Sequence, residues 1–583
     1  MNNYEKTTEN FRHNPTIKKL DYENKILIDA NFPLCLGIDL GDTDCKLSLV
    51  NGVNNEIQLI NFKKDSFSIP TIIYFNSKKE EIKIGFEAEN QGSKEPTQII
   101  FNLLKYIGIN YNETIQKSYL LPFKIFKNEN NNRPYVKINF NGQKNKSFYF
   151  EDILSLYLKN LFEFFFNRIT LKNEKTEETH INLYLELALP NYLNYLQKKI
   201  IEKIFNNQIF PHNVIYNGYS INLIKINFEN LSSISYLYDI IRKNEDETIT
   251  NSIYKNVLII LIDKFSVNFS IVRKNKMNYE VKEIENADFG EENFIDNYLY
   301  YCIKKLENKQ LLKSSSFLYK LKNIISSAKQ NFDIIPQTQI NIDKESSSIK
   351  RMDKNIIRLI LRKDDYEKSC EEYFRKISML ILNITAKSKL SISDIDDIIL
   401  IGQTSNTIKM KKLLLDIFKK NEKISNILMS DSNNNDIDSE NFISIGCSIQ
   451  SLNKNNLLLY NYCFIDICSS SFGVESIDGL MEIIIKKGNR LPSKNKKLVK
   501  IKCINENIFI NLFEGEDRYV KNNKFIICAK IDKSNLRKNL SKNFIEVFIH
   551  LELDKSYNLK CFIHDPYSKN RFECLININV VKN

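Results

Sequence analysis

The sequence predicts an α/β fold built from two related lobes. Residues 34–52 run as an apolar strand, a polar turn and an alternating strand, which is the pattern of a β-hairpin. Residues 256–274 repeat this pattern. Strand-like and helix-like segments alternate between the two hairpins, as is typical of an α/β domain. Two similar units far apart in one chain predict a duplicated fold that binds a ligand between two facing hairpins.

The elements between the hairpins follow from local patterns. Short apolar and β-branched runs indicate strands, and apolar residues with a helical period indicate helices. In chain order the sequence predicts a strand at 69–75, a polar segment at 85–91 leading into a helix at 101–108, two strands within 135–150, an amphipathic helix at 151–166, a buried strand at 183–189 and a helix at 195–205.

The turn of the first hairpin carries residue types suited to a phosphate and a metal ion. Gly41 lets a backbone N–H approach a ligand because it has no Cβ, and Thr43 adds a hydroxyl group. Asp39 ends a buried strand, and a single carboxylate suits Mg²⁺, which keeps several of its waters. An ordinary hairpin turn is the alternative interpretation. The corresponding turn at residues 263–265 contains no glycine, so we expect the fold to repeat without its phosphate chemistry.

The composition is that of a globular protein with several domains. The chain has 583 residues, of which 43% are hydrophobic and 26% charged. Its net charge of +12 permits weak attraction to RNA but predicts no specific nucleic-acid partner. The 11 cysteines contain no C-x-x-C pair, so we expect buried free thiols in a reducing compartment. No apolar run reaches membrane length and no signal peptide is visible, which predicts a cytoplasmic protein without a membrane partner.

A series of motifs runs through most of the chain in a fixed order. It reads LCLGIDLGDTD, SIPTIIYF, GFEAENQ, FNLLKYIG and KSFYFEDIL, then NVLIILIDKFSVNFSIV, YKLKNIISSAKQNF, IDDIILIGQTSNTIKMKKLL and ISIGCSIQS, and finally SFGVESIDGLMEIIIKKGNRLPSK and FEGEDRYVKNN. In order and spacing these segments resemble the DnaK-type (seventy-kilodalton heat-shock) chaperones. The resemblance covers residues 34 to about 580.

The resemblance implies an actin-like, two-lobed nucleotide-binding domain at residues 34–453. A linker at 454–465 then leads to an all-β sandwich at 466–583 that binds extended peptides. We expect residues 1–33, which carry as many acids as bases, to form a mostly disordered extension. The chain stops at Asn583, where the last strand of the sandwich would finish, so we expect no C-terminal helical lid.

The resemblance also assigns a nucleotide site. The family's first turn reads Asp-Leu-Gly-Thr-Thr, and this chain keeps all but one of its side chains, with Asp42 in place of a hydroxyl residue. On the adenosine side only Lys329 remains of a Glu-x-x-Lys-Arg segment, and the loop at 402–408 lacks the arginine that stacks on the base. The residues implied in ATP or ADP binding are Asp39, Gly41, Asp42, Thr43, Lys329, Gly402 and Ser405, with Asp39 also on the side of the Mg²⁺ ion.

The positions that carry catalysis in the family are replaced. Glu89 stands for the catalytic lysine, Asn217 for the catalytic glutamate, and Leu261 for the metal-side aspartate of the second turn. Loss of one electrostatic contact to a transition state costs about 2.7–4 kcal/mol. Several losses together predict little or no ATP hydrolysis and no catalytic residue. Binding of ATP without hydrolysis stays open, and turns that only maintain the fold are the alternative.

A peptide cleft is implied in the sandwich, lined by Val474, Ile477, Leu480, Val499 and Ile508. Extended peptides need exposed backbone groups and a few apolar pockets, so apolar substitutions are tolerated there. The alternative is that such side chains face the core of the sandwich.

A basic cluster without acids lies nearby: Lys486, Lys487, Arg490, Lys494, Lys496, Lys497, Lys500 and Lys502. It could contact RNA phosphates independently of sequence, or it could be a solvated loop in a lysine-rich protein.

Three functions are compatible with these observations. The first is a non-hydrolysing or weakly nucleotide-binding partner subunit in protein folding, similar to ribosome-associated family members that pair with a J-domain protein. Its partners would include a J-domain co-chaperone, a nucleotide-exchange factor or the ribosome. The second is an active ATP-dependent chaperone that binds and refolds extended hydrophobic peptides. The third is a module that holds such peptides without a nucleotide.

Overall fold

The structure is a computed structural model. It describes residues 16–574 apart from 21, 23, 30, 52–55, 65, 77–80, 93, 115–119, 139–145, 172–179, 213, 229–253, 277, 307–314, 344–355, 403–406, 420–426, 429–440, 456–462, 505–506, 533–543 and 567–570.

The first lobe comprises residues 16–228 and is built on a mixed sheet. Its strands are β1 (Thr16–Lys19), β2 (Ile26–Ile28), β3 (Leu34–Leu40), β4 (Asp44–Asn51), β5 (Glu56–Leu59), β6 (Ser68–Pro70), β7 (Ile73–Asn76), β8 (Glu81–Ile84), β9 (Ile99–Ile100), β10 (Ile125–Lys127), β11 (Pro134–Ile138), β12 (Lys146–Tyr149), β13 (Ile169–Leu171), β14 (His180–Ala188), β15 (Val214–Tyr216) and β16 (Tyr219–Phe228). Its helices are α1 (Gly85–Gly92), α2 (Tyr111–Thr114), α3 (Phe150–Asn167) and α4 (Tyr195–Ile204), which a π-helical turn (Phe205–Ile209) extends. The main sheet has the order β1-β5-β4-β3-β14-β16-β15.

Local patterning explains the main elements of this lobe. The first hairpin forms as expected, with Leu40 paired to Cys45 across the turn. Helix α3 repeats apolar residues at helical spacing, and its buried face packs into the core between the sheets. The predicted helix at 101–108 is wrong. Only a 3-10 turn, Leu104–Tyr106, forms there, and the α-helix of this region is α1, which covers the segment expected to lead into it.

The expected disorder of residues 1–33 is wrong for the part that the structure describes. Strand β1 pairs in parallel with β5, and β2 pairs in parallel with β13. Ile26 and Ile28 are buried there. The balance of acids and bases said nothing about these apolar residues, whose burial stabilises the pairing by roughly 1.5–3 kcal/mol each. Residues 1–15 lie outside the described residues.

The second lobe comprises residues 254–428 and repeats the plan of a central sheet with helices. Its strands are β17 (Lys255–Ile262), β18 (Val267–Asn275), β19 (Asn278–Ala287), β20 (Gln337–Asp343), β21 (Ile356–Arg362), β22 (Asp397–Ile401) and β23 (Ile427–Leu428). Its helices are α5 (Glu291–Lys305), α6 (Ser315–Asn331), α7 (Lys363–Ser369), α8 (Glu371–Lys387) and α9 (Ile408–Phe418). Helix α10 (Phe442–Lys454) follows and packs on β3 and β4 of the first lobe, where Ser48 Oγ of β4 donates to Ser444 O at 2.6 Å.

The C-terminal β-region comprises residues 463–574 and contains β24 (Cys463–Ile465), β25 (Phe472–Glu475), β26 (Met481–Ile485), β27 (Ser493–Ile504), β28 (Asn507–Glu514), β29 (Lys524–Asp532), β30 (Phe544–Leu553), β31 (Leu559–His564) and β32 (Arg571–Cys574). From β25 onward these strands pair antiparallel in the order β26-β25-β28-β27-β30-β31-β32, with β29 beside β28.

Both ends of the expected linker at 454–465 belong to elements of secondary structure. Residue 454 ends α10, and β24 pairs in parallel with β19 of the second lobe. The β-region also contacts the first lobe, where Tyr195 N donates to Glu514 Oε2 at 2.7 Å. Residues 456–462 lie outside the described residues.

Two further observations bear on the expectations from composition. No helix among the described residues is long and apolar enough to cross a membrane. Among the cysteines whose side chains are described, none forms a disulfide, and only Cys463 and Cys528 are exposed.

Candidate functional site

Two equivalent hairpin turns face each other between the lobes. In the first, Gly41 N donates to Asp44 O at 2.9 Å; in the second, Asp263 N donates to Ser266 O at 2.9 Å. Both turns border one cavity of about 90 Å³. The repeat seen in the sequence therefore corresponds to a structural repeat around a common cleft.

Most of the residues expected to bind nucleotide come together at this cavity. Its lining includes Asp39, Gly41, Asp42, Thr43 and Gly402. Gly402 has a φ of +113°, and a Cβ there would come within 3.0 Å of a backbone carbonyl oxygen, so only glycine fits. Leu261, at the position expected for a second aspartate, is also part of the lining.

Five carboxyl groups and two lysines line this cavity, and three of the carboxyl groups have raised pKa values. Burial raises the pKa of Asp39 to about 6 and that of Asp42 to about 6. Burial, together with repulsion from these two groups, raises the pKa of Asp263 to about 7. Tyr192 Oη donates to Asp42 Oδ2 at 2.6 Å, and Asp42 Oδ1 has no hydrogen-bond partner among the described residues. The region between the turns thus favours positive over negative ligands.

The expected metal side is occupied by a lysine. Lys46 Nζ lies 3.8 Å from Asp39 Oδ2 and 3.1 Å from Asp44 Oδ1. Within the part of the chain that the structure describes, no group of three or more His, Cys, Asp or Glu side chains could hold a metal ion. The residues present do not fit a Mg²⁺ ion with a triphosphate, because an ammonium group already pairs with the one carboxylate assigned to the metal.

A larger cavity of about 640 Å³ adjoins the first and extends toward the expected adenosine side. Glu89 lines it. Seven acidic residues and three lysines contribute to the lining: Asp42, Glu89, Glu113, Asp288, Glu291, Glu292 and Asp296, with Lys105, Lys264 and Lys322. Acids therefore outnumber bases in the lining of the larger cavity.

The lysines of the larger cavity already interact with groups of this chain. Lys322 pairs with Glu292 and lies 2.7 Å from Asp296 Oδ1. Burial would raise the pKa of Glu292, but Lys322 and Lys264 hold it below its ordinary value. Lys105 Nζ lies 4.0 Å from the centroid of the Phe265 ring. Phe265 belongs to the second turn, at a position where the resemblance leads one to expect glycine.

Lys329 does not reach either cavity lining. It is 4% exposed and forms an ion pair with Glu291, the first residue of α5. A buried ammonium group needs a counter-charge, and for Lys329 this charge is the carboxylate of Glu291 in the second lobe. Ser405, the other residue expected on this side, lies outside the described residues.

Asn217, which the resemblance places at the catalytic glutamate, is not part of the lining of either cavity. Asn217 lies in the turn between β15 and β16, with φ of 50°, and its side chain donates to Phe166 O at 3.1 Å. An Asn-Gly pair between two strands is a strong hairpin signal, and it predicts the turn that forms here. The cleft end of β16 is its other end, where Phe228 pairs with Leu187.

The residues expected to line a peptide cleft divide into two groups. Val474, Val499 and Ile508 are at most 2% exposed and belong to the hydrophobic core. Ile477 is 36% exposed and Leu480 is partly exposed. Val474, Val499 and Ile508 therefore face the hydrophobic core. Of the five residues expected in the cleft, Ile477 and Leu480 are the two that a peptide could contact.

Comparison with known proteins gives one consistent result. The family model described as Hsp70 protein matches residues 35–171 and 241–554. A heat shock 70 kDa protein of Trichophyton rubrum is 23% identical over 510 residues, covering 84% of this chain and 69% of the relative. Heat shock cognate 70 kDa protein 3 of Dictyostelium discoideum is 21% identical, covering 84% and 72%. Heat shock 70 kDa protein 2 of Paracoccidioides lutzii is 23% identical, covering 84% and 69%.

Proposed function

The chain belongs to the Hsp70 family of chaperones, and from this premise we propose that it acts in protein folding as a partner or regulatory subunit that does not hydrolyse ATP. The family binds ATP or ADP with Mg²⁺, unfolded peptides and co-chaperones. The proposal concerns how this chain departs from that pattern.

The observation that carries the proposal is the group of three carboxyl groups at the two turns, of which Asp42 is buried and Asp39 and Asp263 are partly buried. Asp42 and Asp263 face the cavity in which phosphate oxygens would have to lie. A buried charge needs an opposite partner, so like charges placed there oppose a polyphosphate. Each lost transition-state contact raises the barrier by about 2.7–4 kcal/mol, and here repulsion is added to the loss.

The proposed partner role rests on how the chain is held together. Backbone pairing of β24 with β19, the Arg490–Glu280 ion pair and the Tyr195–Glu514 hydrogen bond join the β-region to both lobes. Such an arrangement suits a scaffold that presents a fixed surface to a J-domain protein, an exchange factor or the ribosome. Extended hydrophobic peptides remain proposed ligands of the surface near Ile477 and Leu480.

Thermal unfolding with and without Mg-ATP, together with phosphate release, tests the proposal. A ligand at a hundredfold excess over its Kd stabilises the native state by about 2.7 kcal/mol, which is visible as a rise in Tm. We expect no phosphate release above background, whether or not Tm rises. Turnover at the rate of an ordinary member of the family would overturn the proposal in favour of an active ATP-dependent chaperone.

A charge swap at the larger cavity sharpens this test. Glu89→Lys replaces an anion in the lining by the cation that the family uses, and we expect it to increase the Tm shift with Mg-ATP. Glu87→Lys is the matched control, because Glu87 lies on the same helix α1 but outside the lining, with an exposed side chain that pairs with partly buried Lys83. Equal shifts for the two variants would show that the cavity does not bind the nucleotide.

A further inference from the structure

The basic cluster noted in the sequence separates into two groups in the fold. Lys487 and Arg490 interact with Glu285 and Glu280 on β19, so they take part in the contact with the second lobe. Along β27, in contrast, alternate lysines fall on one face of the sheet. Lys496 is opposite His550, and Lys500 is opposite Glu546.

Aromatic side chains share this face. Along β30 the buried residues Ile545, Val547 and Ile549 alternate with partly exposed ones, so that Phe544, Phe548 and His550 point outward. On β31, Phe562 is opposite His550 and His564 is opposite Phe548. We call Lys496, Lys500, Phe544, Phe548, Phe562 and His564 the aromatic–lysine face.

Rings and ammonium groups on the aromatic–lysine face are in mutual contact. Lys496 Nζ lies 5.4 Å from the centroid of the Phe548 ring, and Lys500 Nζ lies 5.8 Å from that of Phe544. The Phe548 and His564 rings stack with centroids 6.3 Å apart and an interplanar angle of 21°. Flat rings and cations are therefore presented together rather than in separate patches.

The charge of the surrounding surface is positive. Lys494, Lys502 and Lys560 extend the same side of the sheet. Its acids among the described side chains are Glu546, whose Oε1 lies 3.5 Å from Lys500 Nζ, and Glu552. Five lysines against two glutamates leave a net attraction for an anionic partner.

We propose that the aromatic–lysine face binds single-stranded RNA. A single strand offers phosphates to the lysines and unpaired bases to the rings, and both contacts tolerate any sequence. An acidic peptide would satisfy the lysines alone, and a duplex keeps its bases stacked on each other. RNA is chosen over DNA because cellular RNA exposes unpaired bases in its loops and ends. This function is independent of the nucleotide cleft.

Fluorescence anisotropy of the full chain with a labelled single-stranded RNA of about 20 nucleotides tests the proposal. We expect a Kd of about 10⁻⁶–10⁻⁴ M at physiological salt, falling steeply as the salt is lowered. Duplex RNA of the same length should bind more weakly. Equal binding of the duplex, tighter binding of single-stranded DNA, or equal binding of anionic lipid vesicles would overturn the proposal.

Neighbouring lysines of β27 provide a matched comparison. Lys496→Gln with Lys500→Gln should weaken binding about tenfold and lower the slope of log Kd against log salt by about 0.7 for each lost phosphate contact. Lys497→Gln is the control, because Lys497 pairs with Glu482 on β26 at 2.7 Å, away from the aromatic–lysine face. Equal effects of the two changes would mean that net charge, not this face, determines binding.

Phe548→Leu separates stacking from charge. It keeps an apolar side chain but removes the ring, so we expect about tenfold weaker binding with an unchanged salt slope. Its Tm should match that of the wild-type chain to within a few degrees, which excludes unfolding as the cause. Undiminished RNA binding by this variant at an unchanged Tm would refute the role of the rings.

Discussion

The two hairpin turns of the cleft share a backbone hydrogen bond but carry different side chains at equivalent positions. Gly41 and Asp263 occupy the same position in their turns, and each donates its N–H to the residue three positions later at 2.9 Å. In the first turn Asp39 and Thr43 survive, whereas Leu261 and Phe265 stand at the equivalent places of the second. A turn can thus keep its hydrogen bonding while losing the side chains and the open space that a phosphate requires.

This difference teaches that fold and ligand site are stabilised by separate interactions. The second turn is held in place by hydrogen bonds from residues outside the hairpin. Glu291 N donates to Asp263 O at 3.0 Å, and Glu292 N donates to Lys264 O at 2.9 Å. These contacts come from the start of α5 and need no nucleotide. Four predictions test this separation, first at contacts that maintain the fold and then at the side chains of the turns.

The largest effect is expected at the strand before the first turn. Gly37 packs against α10, and a Cβ there would come within 3.0 Å of backbone atoms of Ser444 and Ser448. Gly37→Val should therefore lower the free energy of unfolding by about 4 kcal/mol, measured by urea denaturation. Ile259 holds the equivalent place in β17, and Ile259→Val should cost only about 1 kcal/mol. Similar costs would mean that α10 is not tightly packed.

Breaking the buried ion pair of the second lobe should have the next largest effect. Lys329→Met leaves Glu291 without its counter-charge and should cost about 3 kcal/mol of stability. Replacing both partners, with Glu291→Leu added, should recover most of that loss, because no charge is then buried. The thermal unfolding of both variants measures this. Equal losses in the single and double variants would argue against a buried pair.

Removing the carboxyl group from the second turn should stabilise the protein at high pH. The pKa of Asp263 is about 7 in the fold, above its ordinary 3.8, so its contribution to stability is present below about pH 4 and is lost as the pH rises through 7. Asp263→Asn should therefore raise the free energy of unfolding by roughly 2–4 kcal/mol at pH 8 and leave it unchanged at pH 4. Asp42→Asn should gain less, because Tyr192 already donates to that group. A gain that is independent of pH would contradict this account.

The smallest effect is expected at the glycine of the first turn. Since the second turn carries Asp263 with the same hydrogen bond, Gly41→Ala should still fold, at a cost of about 1 kcal/mol. The added Cβ would lie 2.9 Å from Asp44 O, which requires a small shift of the turn. Circular dichroism melting measures the cost. Unfolding of this variant at room temperature would show that the two turns are not equivalent.

The sequence was informative where the signal is local. Both hairpins, helix α3 and the strand at β14 could be predicted, because periodicity and turn residues determine them within a few positions. The Lys329–Glu291 pair could not, since its partners lie 38 positions apart and on different helices. Nor could the pairing of β2 with β13, in which short strands become stable only when a distant segment covers them.

The pairing of β24 with β19 has a consequence for proteolysis. A cut in the backbone anywhere between Asn455 and Cys463 would sever the chain, but the C-terminal fragment would still carry β24 and the groups that contact both lobes. The two fragments should therefore stay together on a sizing column and separate only in denaturant. The contacts between the β-region and the two lobes should thus hold these parts together even when the chain that connects them is cut.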